Sequence, residues 1–171
     1  KIDKKIGLAI YKNYINSISS HLKNLGLNIN TSPVLDLYAK NAHKIIGNRS
    51  YSEDPKTVNE LGQACVKFYK NNKIATVIKH IPGHGKANSD SHFELPVVKN
   101  GLKHLNKNDF KCFKNIKSHF AMTAHILYSK IDYANNATHS KILIKEIIRK
   151  KIGFKGILIS DDISMKALKF D

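Results

Sequence analysis

The chain has 171 residues, 42% of them hydrophobic, which suffices for the buried core of one domain. Its formal net charge of +16 is almost all lysine spread along the chain, with Arg49 and Arg149 the only arginines. Nucleic-acid readers favour arginine for bidentate contacts, so no nucleic-acid partner is expected, and the Lys/Asn/Ile bias matches an AT-rich coding sequence.

In chain order, Ile6, Ile10, Tyr14, Ile18 and Leu22 recur at every fourth position, which predicts an amphipathic helix over 3–24. Gly26 stops it, and 27–37 reads as a strand with Pro33 near its end. Asp54-Pro55 starts a second helix, Asp as cap and Pro in the first turn, with Val58, Leu61, Cys65 and Phe68 as its buried face. Residues 74–79 form a short apolar strand. Residues 81–96 hold Gly, Pro, Asn and Ser without a period and read as a long loop. Residues 105–117 are weakly helical, and 120–126 is another strand. Ser140 caps a helix through Lys150 that Gly153 ends, 156–160 is the last strand, and a further helix begins over 163–170.

No apolar stretch approaches the roughly 20 residues of a membrane span. With no signal peptide in view, no membrane partner is expected. The two cysteines, Cys65 and Cys112, form no CxxC pair and suit buried thiols in a reducing cytoplasm.

Strands thus alternate with helical or loop segments, which argues for an α/β fold with a parallel sheet. Asp36, Lys79-His80, His125 and Asp161-Asp162 follow the strands, and that edge carries the chemistry of a (β/α)8 TIM barrel. A whole barrel takes about 250 residues, so 171 residues account for about half of one. A small doubly wound sheet is the competing architecture, but Gly83-His84-Gly85 precedes a loop rather than a helix and makes no phosphate turn.

Three segments carry candidate chemistry. In Lys79-His80-Ile81-Pro82-Gly83-His84-Gly85, Lys and His at a strand end can bond a polyhydroxylated ligand, while Pro and Gly fix the turn that aims them. The plainer reading is a solvated strand cap. In Asp90-Ser91-His92 the carboxylate can orient the imidazole, as an acid/base pair requires, although the same tripeptide is an ordinary turn. In Ile159-Ser160-Asp161-Asp162, two carboxylates follow an apolar strand. One can attack an anomeric carbon, or both can cap the next helix. A zinc site from His80, His84, Asp90 and His92 is the rival. Pro82 and Gly83 keep His80 and His84 off a common helix face, so no metal and no cofactor is expected.

Taken together, these segments resemble glycoside hydrolase family 3, in its bacterial β-N-acetylhexosaminidase (β-N-acetylglucosaminidase) branch. The matching pieces are Ser32-Pro33-Val34-Leu35-Asp36, Ile46-Gly47-Asn48-Arg49-Ser50-Tyr51 with Glu53-Asp54-Pro55, and the 79–85 segment. Asp90-Ser91-His92 with Leu95-Pro96, Met122-Thr123-Ala124-His125-Ile126, Gly153-Phe154-Lys155-Gly156 and Ile159-Ser160-Asp161-Asp162 with Met165 and Ala167 complete them, in the family's order. The resemblance implies that 1–171 is the middle of the TIM-barrel catalytic domain and that hydrolysis proceeds by retaining double displacement. It implies Asp161 as nucleophile with Asp162 supporting, His92 as acid/base with Asp90 as partner, and Arg49, Lys79 and His80 as sugar-binding residues. It implies a terminal β-linked N-acetylglucosamine of a saccharide or cytoplasmic muropeptide as substrate, in cell-wall recycling. Two departures stand out. Asn48 replaces a common acidic residue, and the family's upstream Asp-Gln-Glu-Gly-Gly segment, whose Asp and a following Arg also bind sugar, is not in this chain. The alternative is therefore a remnant that keeps the motifs without the activity. The open edges of half a barrel are expected to self-associate or to take up a complementary fragment.

Overall fold

The computed structural model describes residues 3–40, 46–84, 87 and 94–168. Helix α1, Lys4–Asn24, is capped by the Asp3 carboxylate, which accepts from the amides of Lys5 and Ile6. Its packed stripe differs from the expected one. Tyr11, Ile15, Ile18 and Leu22 meet Cys65, Phe68 and Tyr69, while Ile6, Ile10 and Tyr14 are 57%, 57% and 60% exposed. Tyr11 and Ile15 each lie one residue, about 100° of helix, beyond Ile10 and Tyr14. An apolar residue at every fourth position drifts around the helix, so one period fits two faces, and the partner helix selects between them.

Strand β1 is only Ile29–Asn30, not the whole of 27–37. Pro33 has no amide hydrogen for the ladder, so pairing lapses and resumes only at a Val34–Lys79 bridge. Helix α2, Pro55–Asn71, starts as the sequence indicates. Asp54 accepts from the amides of Lys56 and Thr57, and Val58, Gly62, Cys65, Val66 and Tyr69 are buried. The expected face is thus right at Val58 and Cys65, while Leu61 and Phe68 lie at its margin, only partly buried.

Strand β2, Ala75–Ile81, is followed by a short β3, Val97–Val98, and by α3, Leu102–Lys107, which runs into a 3-10 turn at Asp109–Phe113. The expected strand over 120–126 ends at Thr123 as β4 (Phe120–Thr123), and a separate short strand, β5 (Leu127–Tyr128), follows beyond its expected end. The chain leaves the main sheet after Thr123, and β5 pairs with β3 instead. Helix α4, Leu143–Ile152, is wound as a π-helix. Ser140 Oγ accepts from the Leu143 amide, and Gly153 ends the helix with φ 81, in the left-handed region. Strand β6 is Ile157–Ser160. Beyond it the described chain holds one 3-10 turn, Lys166–Leu168, in place of the expected helix.

The main sheet is parallel and runs β1-β2-β4-β6. Each strand is added on the same side as the last, with no reversal of direction. A doubly wound sheet reverses at its switch point, whereas a barrel progresses steadily. The fold is therefore the TIM-barrel type of α/β architecture, present as an open arc. Its core includes Leu35, Ile78, Ile81, Phe110, Tyr128 and Ile148, all fully buried.

Candidate active site

The carboxyl ends of the four strands bring together residues far apart in sequence. Asp36 lies just past the Val34 bridge, Lys79 and His80 lie near the end of β2, His125 follows β4, and Asp161 follows β6. The peptides Lys79-His80 and Ile81-Pro82 are both cis.

Asp36 organises the centre. Its carboxylate is fully buried and accepts hydrogen bonds from His80 Nδ1 at 2.7 Å, the His80 amide at 3.2 Å and the His84 amide at 2.6 Å. Burial alone would raise its pKa, but the His80 and His84 charges and hydrogen bonds outweigh it and hold the carboxyl below its ordinary value. The far side of the imidazole, Nε2, faces Asp161 Oδ2 at 3.7 Å. A carboxylate, an imidazole and a second carboxylate thus stand in a row.

Because the Asp36 pKa is lower in the folded chain, the unfolded chain takes up the proton first as pH falls. The contribution of Asp36 to stability is complete above its unfolded pKa, about 3.9, and is lost as pH drops through the lower folded value. Asp36→Asn is expected to destabilise the chain by on the order of 3 kcal/mol at neutral pH. It should also flatten the acid limb of stability against pH. Urea melts at several pH values read both, and an acid limb unchanged in Asp36→Asn would contradict the ionised, partnered state.

The Asp161 carboxylate is only one-fifth exposed, and its Oδ1 accepts from the Asp162 amide at 2.8 Å. Asp162 instead points outward, and its Oδ1 accepts from the Ser164 amide. Asp162 thus caps the following turn, while Asp161 faces the strand-end cluster. Burial lowers the Lys79 pKa, the Arg49 charge lowers it further, and Asp161 and Asp36 oppose both. Lys79 thus lies within the field of all three, with its Nζ 3.4 Å from Thr31 Oγ1. Arg49 sits on the exposed 3-10 turn Gly47–Arg49.

His84 is buried beside His80, ring centroids 5.8 Å apart, and among the described residues its ring nitrogens have no hydrogen-bond partner. Burial lowers its pKa first, and the His80 and Arg49 charges lower it further against Asp36. Gly83 has φ +136, and a Cβ there would lie 2.8 Å from Asp109 Cβ, so the turn between the two histidines requires glycine. The Gly83 carbonyl accepts from the Tyr128 hydroxyl. Asp90 and His92 lie outside the described residues. Among the described residues no group of three or more His, Cys, Asp or Glu side chains is arranged so that it could hold a metal ion. The sequence places Asp36 and His125 at the strand-end edge but assigns neither a role in the site. The available signal for Asp36 was a carboxylate inside the apolar run Val34-Leu35-Asp36-Leu37, which must find partners when buried.

The buried acid–imidazole pair stands at the carboxyl edge of a barrel-type sheet, the edge at which TIM-barrel enzymes place their chemistry. The model of the "Glycosyl hydrolase family 3 N terminal domain" matches residues 4–170, and the chain belongs to that family. A "Beta-hexosaminidase" of Nitrosospira multiformis is 32% identical over 158 residues, 90% of this chain and 44% of the relative. One from Neisseria meningitidis serogroup C is 35% identical over 152 residues, 87% of this chain and 42% of the relative. Among solved structures, native NagZ of Neisseria gonorrhoeae superposes with TM-score 0.87 at 32% identity, covering 94% of this chain and 47% of that one. The β-N-acetylglucosaminidase of Thermotoga maritima gives 0.81 at 35%, covering 94% and 34%. The chain spans less than half the length of these relatives.

Proposed function

We propose that this chain is the nucleophile-bearing part of a β-N-acetylhexosaminidase that removes terminal β-linked N-acetylglucosamine by retaining double displacement. The observation that carries the reading is the Asp161 carboxylate, fixed at the end of β6 with one oxygen on its neighbour's amide and the other facing His80. A relative from Neisseria gonorrhoeae solved with N-trifluoroacetyl-D-glucosamine, 32% identical to this chain, supports the sugar class.

In this reading Asp161 Oδ2 attacks the anomeric carbon from the α face. The C–O bond to the leaving group breaks as His92, oriented by Asp90, donates a proton to that oxygen. A covalent α-glycosyl ester remains on Asp161. His92 then takes a proton from water, whose oxygen displaces the ester with a second inversion and restores the β configuration. Lys79, His80 and Arg49 hold the sugar hydroxyls. Asp36 fixes the His80 ring through Nδ1, so the ligand meets Nε2. The substrate is a saccharide or muropeptide of cell-wall recycling in the cytoplasm, without nucleic acid, membrane, metal or cofactor.

His92→Ala in the full-length enzyme tests the assignment. A protonating group matters less when the leaving group is a weak base. The loss should therefore be on the order of 10²-fold or more for an alkyl N-acetylglucosaminide. An aryl substrate should lose much less. Equal losses on both would overturn the role of His92, and no turnover of either by the unmutated enzyme would favour the inactive remnant.

A further inference from the structure

We propose that His125 is a positioning residue for the nucleophile loop, a neutral imidazole with its proton on Nε2 that clamps the Asp162 backbone and so fixes Asp161. The proposal rests on the nucleophile reading of Asp161 and extends it to a residue outside the sugar-binding set.

The tautomer follows from the partners. His125 is 2% exposed and sits where the chain leaves the sheet after β4. Its Nε2 lies 3.1 Å from the Asp162 carbonyl, which can only accept, so Nε2 must carry the proton. Its Nδ1 lies 2.8 Å from Thr138 Oγ1, so in the neutral ring it accepts from that hydroxyl. Thr138 Oγ1 is in turn 3.0 Å from Thr123 Oγ1, the last residue of β4. With its own proton given to His125, Thr138 accepts from Thr123. The chain of donors runs in one direction: Thr123 to Thr138, Thr138 to His125, His125 to the Asp162 carbonyl. Burial, which lowers the His125 pKa, favours the same neutral ring.

The clamp acts where it matters. The Asp162 amide donates to Asp161 Oδ1, and the Asp162 carbonyl is held by His125, so both ends of this one residue are tied. The loop after β6 is thereby fastened to the end of β4, and the Asp161 carboxylate can swing only if one of these bonds breaks. A merely space-filling histidine would need neither the directed hydroxyl pair nor the carbonyl contact.

The direct test does not depend on turnover. Two-bond 1H–15N correlation on 15N-histidine-labelled protein reads the tautomer. His125 should be neutral and Nε2-protonated, and in Thr138→Val its Nδ1 shift should move. A cationic or Nδ1-protonated ring would overturn the proposal whether or not the protein is a glycosidase. In the full-length enzyme, His125→Ala should lower kcat on the order of 10²-fold, as expected for a misplaced reacting group, with KM little changed. His125→Gln, whose amide nitrogen can reach the same carbonyl, should recover most of that loss. An unchanged kcat in His125→Ala, or a folded His125→Gln no better than alanine, would overturn it. Should His125→Ala not fold, Thr138→Val and His125→Gln decide the matter by the same readings.

Discussion

Asp161→Ala is expected to lower turnover of an aryl N-acetylglucosaminide by at least about 10³-fold, roughly 4 kcal/mol of barrier, with little change in substrate affinity. The nucleophile forms the bond that defines the intermediate, so no substrate escapes the loss, in contrast with a proton donor. The effect should not come from unfolding. Asp161 lies at the mouth of the sheet, one-fifth exposed, and among the described residues its removal frees the His80 Nε2 contact and one backbone amide and takes a charge from the field of Lys79. Asp161→Asn, which keeps the shape, should be nearly as inactive, because the amide oxygen is a poor nucleophile. Azide supplied to Asp161→Ala can enter the vacated α face and displace the leaving group once, giving the α-glycosyl azide. Steady-state rates and the anomeric configuration of that product are the measurements. A residual rate within about tenfold of the unmutated enzyme would remove Asp161 from the role.

Local signals wrote much of this fold into the sequence, and the departures have local or long-range causes. Asp54-Pro55 and the Ser140…Gly153 pair mark the ends of α2 and α4 because capping is settled within a few residues. Strands β2 and β6 are apolar runs long enough to read directly. The face of α1 was not legible, since packing against α2 selects between two stripes that the sequence offers almost equally. The pairing of β3 with β5 joins two-residue strands 30 positions apart, too short to leave a period. The same holds for the site. Asp161, Lys79 and His80 are visible as charge at strand ends. The pairing of His80 with Asp36 spans 44 residues and that of His125 with the Asp162 carbonyl 37, and no spacing rule reaches so far. Gly83 reads as a turn residue in the sequence, but the need for glycine comes from Asp109, brought against it only in the fold.

Expressed as these 171 residues alone, the chain is expected to associate and to turn over an aryl N-acetylglucosaminide at least about 10²-fold more slowly than a complete relative. Among the described residues the main sheet is an arc whose outer strands, β1 and β6, each have one partner. Their free edges offer unpaired amides and carbonyls to any other strand. Apolar side chains accompany both edges: Ile29 is 40% exposed on β1 and Ile157 59% on β6. Ile6, Ile10 and Tyr14 on α1, and Leu25 and Leu27 after it, are exposed as well. Where such side chains lie together in a large patch, a monomeric domain rarely leaves them in water. Covering it by a second chain should be favourable, by about 25 cal/mol for each Å² of apolar surface buried. Charge works the other way, since +16 on each copy repels, so association should strengthen as salt screens that repulsion. The chemical consequence follows from geometry. Asp161 directly follows β6, which among the described residues pairs with β4 alone, and small displacements of a reacting carboxylate are costly. Light scattering across a salt series gives the mass, and the aryl substrate gives the rate. A species of 19.3 kDa at all salt concentrations, turning over at the rate of a complete relative, would show that the open arc is self-sufficient.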